Sequence, residues 1–310
     1  MSRGMRRRGV VIWSVICVLA AVWLADAFWF EPESLTQTTL DIQDPAWPAG
    51  TAPLHAVLLS DFHADDVHMP PSRVRAIAAR VNAMHPDVIL LGGDYIGGNV
   101  FKGRREFGAR PMRSPKEIAL DEDGLKALGD FNAPLGVYAI MGNHDCWWDC
   151  DTVRQILAGT RVKLLENQAA RLARPGGDVW IEGVEDGQTQ HPDFAATAAQ
   201  VPKGAASFVL THNPGLFDWS SNHTVLQLSG HSHGGQVRLP IIGAPVRVCR
   251  HTEDTAKGWT IIDNRILVVT RGLGSSGIPI RFGAPPQIMV LTIRPGPAAR
   301  VVKTGETYLK

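Results

Sequence analysis

Short apolar runs alternate along this chain with polar clusters that follow them directly. Leu54-His55-Ala56-Val57-Leu58-Leu59-Ser60 is almost wholly apolar and does not alternate, as a strand covered on both faces requires. Residues 87–91, 136–141, 207–210 and 224–228 have the same texture and predict four more buried strands. Between the first two runs, Val74, Ile77, Ala78, Val81 and Met84 recur at helical spacing, with Ser72 as the expected cap. The opening unit therefore reads strand, helix, strand. Leu125 and Leu128 restart a helix, residues 151–158 read as another, and 162–185 as strands. Runs at 265–270 and 287–293 flank a turn, Arg271-Gly272-Leu273-Gly274. The pattern predicts one α/β domain over 54–295, with mixed sheets flanked by helices and a C-terminal tail at 296–310. Thr38, Leu40 and Ile42 alternate within 31–53, which reads as a linker or an edge strand.

Residues 1–30 follow a different rule. Arg3, Arg6, Arg7 and Arg8 precede an apolar stretch from Gly9 to Phe30 that only Asp26 interrupts. That length suits a bilayer, with the arginines in the cytoplasm and Trp23, Phe28 and Trp29 at the interface. It reads as an uncleaved anchor with the domain outside the cytoplasm. The small residues Ala25 and Ala27 leave a cleaved export signal as the alternative.

The net charge of +1 excludes the basic surplus that nucleic-acid binding needs. Positive charge is concentrated in 97–123, at Lys102, Arg104, Arg105, Arg110, Arg113 and Lys116. This insert is either a solvated loop or a basic flap over an anionic substrate. Cys146 and Cys150 can pair with each other, one can pair with Cys249, or all can be free thiols.

Five strand ends deliver chemistry: Asp61 and His63, Asp94, Asn143 and His144, His212, and His231 with His233. His231 and His233 are two residues apart, so they face one side, and the glycines around them allow a sharp turn. Burying so many ionisable groups is costly unless something pairs them. Divalent cations would do so, and mixed carboxylate, imidazole and amide donors suit manganese, iron or zinc.

The order Asp-x-His, Gly-Asp, Gly-Asn-His-Asp, His, Gly-His-x-His resembles the calcineurin-like metallophosphoesterase family over residues 54–295. The basic N-terminus, Gly230-His231-Ser232-His233-Gly234-Gly235-Gln236 and Arg271-Gly272-Leu273-Gly274 look like its membrane-anchored bacterial branch. The resemblance implies a four-layer α/β/β/α sandwich. It implies one metal on Asp61, His63 and His233, a second on Asn143, His212 and His231, and Asp94 bridging both. Two such cations can activate water for in-line attack on a phosphate ester. His144 would meet the phosphate or protonate the leaving oxygen, and Asp145 would orient His144. Arg271 would contact substrate or brace its turn. Many relatives carry Gly at the position of Asp65 and Asp at that of Gly97. The expected activity is phosphodiester or pyrophosphate cleavage on a lipid- or nucleotide-linked substrate near the membrane. A broad phosphatase or protein phosphatase is the runner-up, and a non-catalytic envelope protein the other class.

Overall fold

The computed structural model describes residues 3–65, 67–97, 114–220, 224–256 and 258–309. Its strands run in chain order as β1 (Thr36–Asp44), β2 (Leu54–Leu59), β3 (Val88–Leu91), β4 (Val137–Ala139), β5 (Val162–Leu164), β6 (Gln168–Leu172) and β7 (Val179–Gly183). They continue as β8 (Ala206–Leu210), β9 (Leu226–Ser229), β10 (Trp259–Ile262), β11 (Arg265–Val269), β12 (Gln287–Pro295) and β13 (Arg300–Tyr308). The helices are α1 (Arg3–Ala25), α2 (Pro71–Asn82), α3 (Pro115–Ala127), α4 (Asn143–Ala158) and α5 (Phe194–Ala198).

Two mixed sheets stack face to face. The first has the order β13-β1-β12-β2-β3-β4-β5 and the second β10-β11-β9-β8-β7-β6. Within them β2, β3, β4 and β5 run parallel, as do β7, β8, β9 and β11. Their unalternating sequences follow from burial on both faces. Leu54, Ala56, Leu58, Leu90, Phe208, Leu228, Ile266 and Leu291 fill the space between the sheets. Val57, Leu59, Ile89 and Leu91 point the other way, onto Val74, Ile77 and Val81 of α2 and onto Leu125 and Val153. Burying each such side chain contributes about 1.5–3 kcal/mol. The second sheet's outer layer is thin. Among the described residues it is α5 and a 3₁₀ turn at Pro214–Asp218, from which Phe217 meets Leu267 and Val269. Mixed sheets with flanking helices agree with the expected sandwich.

Four local expectations change. Residues 36–44 are neither linker nor edge but an interior strand, parallel to β12 and antiparallel to β13. Its alternation reflects one face against the core and one half-covered. The expected tail at 296–310 supplies the edge instead, as β13. Helix α2 starts at Pro71, not behind Ser72, because proline's fixed φ and missing N–H suit a first helical position. Helix α3 begins well before the apolar spacing resumes at Leu125. A capping box between Ser114 and Glu117 starts it, with Pro115 at the first position. Lys116 of the expected flap therefore lies on a helix, while Lys102, Arg104, Arg105, Arg110 and Arg113 lie outside the described residues.

Candidate metal centre

The carboxyl ends of β2, β3, β4, β8 and β9 meet at one end of the sandwich, so both sheets contribute. Asp61 and His63 leave β2, Asp94 leaves β3, and Asn143 and His144 open α4 after β4. His212 leaves β8, and His231 and His233 leave β9. Asp61 (φ 53°), His63 (44°), Asp94 (54°), His231 (64°) and His233 (50°) all have left-handed backbones. Non-glycine residues take that conformation at a cost, and clusters of them mark functional sites. The glycines fit around them. A Cβ on Gly142 would fall 2.3 Å from Asp94 Oδ1, and one on Gly97 would fall 1.9 Å from His63 Nδ1.

The donors form two triples. Asp61, His63 and His233 make one, and Asp94, His212 and His231 the other; within each, the donor atoms lie within 4.8 Å of one another. His63 Nε2 and His233 Nε2 are 3.0 Å apart, and His233 Nε2 is 3.4 Å from Asp61 Oδ1. His212 Nε2 is 3.1 Å from His231 Nδ1 and 3.2 Å from Asp94 Oδ2. Asp94 Oδ2 is also 3.6 Å from His63 Nε2, so this one oxygen stands between the triples. Asp94 Oδ1 accepts the backbone N–H of His144 at 2.8 Å.

The electrostatics express the same crowding. Burial, reinforced by the charge of Asp94, pushes the Asp61 carboxyl up to about 7 despite the nearby His212 cation. Burial opposes ionisation of Asp94 too, but His212, His144 and His63 outweigh it and hold that carboxyl well below its usual range. Burial alone would lower His212; the Asp94 carboxylate overrides it and raises the imidazole to about 10. Burial and the His212 charge press His231 down to about 3. Burial, His63 and Arg281 keep His233 neutral, well below the usual imidazole range.

Do these residues fit a pair of cations? Asn143 Oδ1 is buried and has no hydrogen-bond partner among the described residues, an orphaned acceptor on the first residue of α4, next to His144. His212 Nδ1 lies 2.7 Å from the Gly92 carbonyl oxygen, which only accepts; Nδ1 therefore carries hydrogen, and Nε2 is the ring atom that meets Asp94. Carboxylate, imidazole and amide oxygen together match the expected donor set. The fit holds.

The remaining expected residues fall at the rim. His144 Nε2 lies 3.3 Å from Ser276 Oγ, and its ring meets those of His63 and Trp147 edge-on. His144 also forms a third close triple with His63 and Asp94. Asp145 is fully buried. Its oxygens accept the backbone N–H groups of Gly142, Asp94, Tyr95 and Ile96, because it is the third residue of α4 and caps that turn. Arg271 binds Glu306 at 2.6 Å and Thr36 at 3.2 Å, bracing its turn against β13 and β1. Asp65 accepts three N–H groups, from Val67, His68 and Met69, and so shapes the loop after His63.

Three neighbours escaped the sequence reading. The Gln188 amide meets His231 Nε2 at 3.2 Å. It follows β7 in a polar cluster, Glu185-Asp186-Gly187-Gln188, so the strand-then-cluster rhythm was its signal. Ser276 belongs to the loop after the glycine-rich turn. Arg281 is wholly buried, bonded to the carbonyls of Arg271, Gly274 and Ala284, with Nη2 3.3 Å from His233 Nδ1. Nothing in its local sequence marks a buried cation.

A dinuclear-type donor cluster at the strand ends of a two-sheet sandwich defines a metal-dependent phosphoester hydrolase. The calcineurin-like phosphoesterase family model matches residues 54–235, and the chain belongs to that family. Among curated relatives, the metallophosphoesterase YkuE of Bacillus subtilis is 27% identical over 86% of this chain and 88% of its own. The phosphodiesterase YaeI of Escherichia coli is 30% identical over 78% of this chain and 83% of its own. Among solved structures, a 5'-nucleotidase precursor from Thermus thermophilus aligns with a TM-score of 0.42 at 16% identity. That alignment covers 71% of this chain and 49% of the nucleotidase, about half its length.

Proposed function

We propose that the protein is a membrane-tethered phosphodiesterase acting outside the cytoplasm. The observation that carries the reading is Asp94 standing between two donor triples, which matches the spacing a dinuclear hydrolase needs. The diesterase preference is supported by the likeness to YaeI. The tether is supported by the N-terminal helix, long and apolar enough to cross a membrane. Export is supported by the Cys146–Cys150 disulfide, since such bonds persist in oxidising compartments. Cys17 and Cys249 are free.

Asp61, His63 and His233 would hold one cation, and Asn143, His212 and His231 the other, with Asp94 common to both. Manganese, iron or zinc bound there would supply Lewis acidity toward the phosphoryl oxygens and make water a better nucleophile. The chain itself does the rest. Asp94 and the left-handed ligand backbones fix the donors before substrate arrives, so little reorganisation remains. As a water oxygen bonds to phosphorus and the ester P–O bond breaks, the leaving oxygen takes a proton. His144 supplies it from Nε2, the atom that Ser276 Oγ meets at 3.3 Å before substrate arrives, and is reprotonated by the proton that the attacking water releases. Gln188 steers His231 from its other edge.

Full-length protein in detergent, loaded with manganese, is assayed on a chromogenic phosphodiester and on the matching monoester. Faster diester turnover that vanishes on chelation supports the reading. Monoester preference moves it to the phosphatases, and inactivity after reloading with each metal leaves a binding protein.

A further inference from the structure

Helix α1 does not hang free of the domain. At its end, Trp23 meets Phe282 edge-on with ring centroids 5.0 Å apart. The Ala27 carbonyl accepts the N–H of Arg281 at 3.0 Å, and the Glu31 carboxylate accepts those of Gly283 and Ala284. The membrane exit is thus clamped to the 278–284 loop. That loop bridges in turn to 236–243: Phe282 N–H bonds to Gln236 O, and Arg238 N–H to Phe282 O. From there the chain makes a tight turn closed by paired bonds between Leu239 and Gly243.

The tip of that turn is Pro240-Ile241-Ile242. Ile241 is fully exposed and Ile242 is 66% exposed. Ile241 also has a left-handed backbone (φ 72°), which a β-branched residue rarely takes. Ile278, beside Gln236 through the Gln236 amide, is exposed too, as are Trp29 and Phe30 where α1 ends. Isolated exposed apolar residues are ordinary; several gathered around a membrane exit are not. These two loops follow directly after His233 and Ser276.

We propose that the Pro240–Gly243 turn inserts into the bilayer that α1 enters, as a second contact that holds the metal centre at headgroup depth. The substrate class that follows is a phosphodiester of a bilayer lipid, attacked without leaving the membrane. The occupant is the bilayer because the turn is hydrogen-bonded through one loop to the helix that enters it. This rests on the reading of a tethered phosphodiesterase, and the test separates the two.

Full-length protein carrying Cys17→Ser and Cys249→Ser is reconstituted in phosphatidylethanolamine and phosphatidylglycerol vesicles. An environment-sensitive dye is placed through Ile241→Cys or, as a control, Lys203→Cys, at the opposite end of β8 from His212. Spin-labelled lipid should quench the dye at 241 and leave that at 203 unquenched. A dye at 241 with water-like emission overturns the proposal. So does a blue-shifted dye that lipid does not quench, which would mean a second copy covers the turn. This readout needs no activity, so it stands even if the enzyme reading fails. In the second arm, Ile241→Glu with Ile242→Glu lowers hydrolysis of vesicle-borne phospholipid about ten-fold or more, while turnover of a soluble chromogenic diester stays within about two-fold. Unchanged lipid hydrolysis, or an equal loss on both substrates, overturns the substrate class.

Discussion

His212 donates its Nδ1 hydrogen to the carbonyl oxygen of Gly92, 2.7 Å away, and so turns Nε2 toward Asp94. Gly92 follows β3 and His212 follows β8, so this bond ties the two sheets together at the cluster. In the metal-free protein the Nε2 side is held by a proton, since Asp94 raises the imidazole to about 10. Asp61 holds another until pH reaches about 7, chiefly because it is buried.

Metal uptake therefore displaces protons. Below pH 7 both groups are protonated, and both must lose the proton before they can act as ligands. Manganese affinity should rise with pH between 5.5 and 7.5, by about ten-fold per unit for each proton displaced. Calorimetric titration in two buffers of different ionisation enthalpy counts the protons. An affinity independent of pH would show that these groups do not bind the metal.

Asn143 offers a sharper separation of folding from binding. Its Oδ1 is buried without a partner among the described residues, a condition that costs about 1–3 kcal/mol in the metal-free chain. Asn143→Leu should raise the melting temperature of chelator-treated protein, yet reduce metal content from two to one per chain. Elemental analysis and calorimetry on the same preparation read both. A variant destabilised without metal and still loaded with two would contradict the assignment.

Much of this was legible in the sequence. The unalternating runs located the buried strands because a strand covered on both faces has no polar register to show. The clustered donors were legible because each lies immediately after such a run. Interior strand β1 was not, because its half-covered face gives Thr38, Leu40 and Ile42 the alternation of an edge. The first half of α3 was not, because its start is set by a cap rather than by apolar spacing. Gly97 is the most instructive position. Many relatives carry Asp at this position, whereas here a Cβ would collide with the His63 ring. Arg281 was invisible because its role depends on carbonyls gathered from distant turns.

Chemistry and metal retention should separate cleanly at two neighbouring residues. His144 touches the cluster from its rim, whereas Asp94 Oδ2 stands between the two triples, 3.2 Å from His212 Nε2 and 3.6 Å from His63 Nε2. His144→Ala should keep both metals and lose about 10²–10⁴-fold in turnover, the usual contribution of a proton donor. Asp94→Ala should lose metal as well as activity. Full metal content in Asp94→Ala contradicts the bridging role; unchanged turnover in His144→Ala removes it as the proton donor.

Asp44 tests the electrostatics away from the metals. It ends β1, fully buried, with Oδ1 accepting the Ala46 N–H and Oδ2 without a partner among the described residues. Burial, opposed only by that one bond, raises its carboxyl from 3.8 to about 6. Below pH 3.8 the group is protonated in both folded and unfolded chains and contributes nothing to the difference. Between 3.8 and 6 the unfolded chain ionises while the folded one keeps its proton, so stability falls as pH rises through that window. Above 6 the loss is complete, at most about 3 kcal/mol for a shift of about two units. Asp44→Asn keeps an acceptor for Ala46 and removes the ionisation. Thermal melts should show the variant more stable than the parent at pH 8, with the gap narrowing steadily toward pH 4. A gap that does not change with pH would mean that Asp44 stays ionised inside the fold and that burial does not govern its charge.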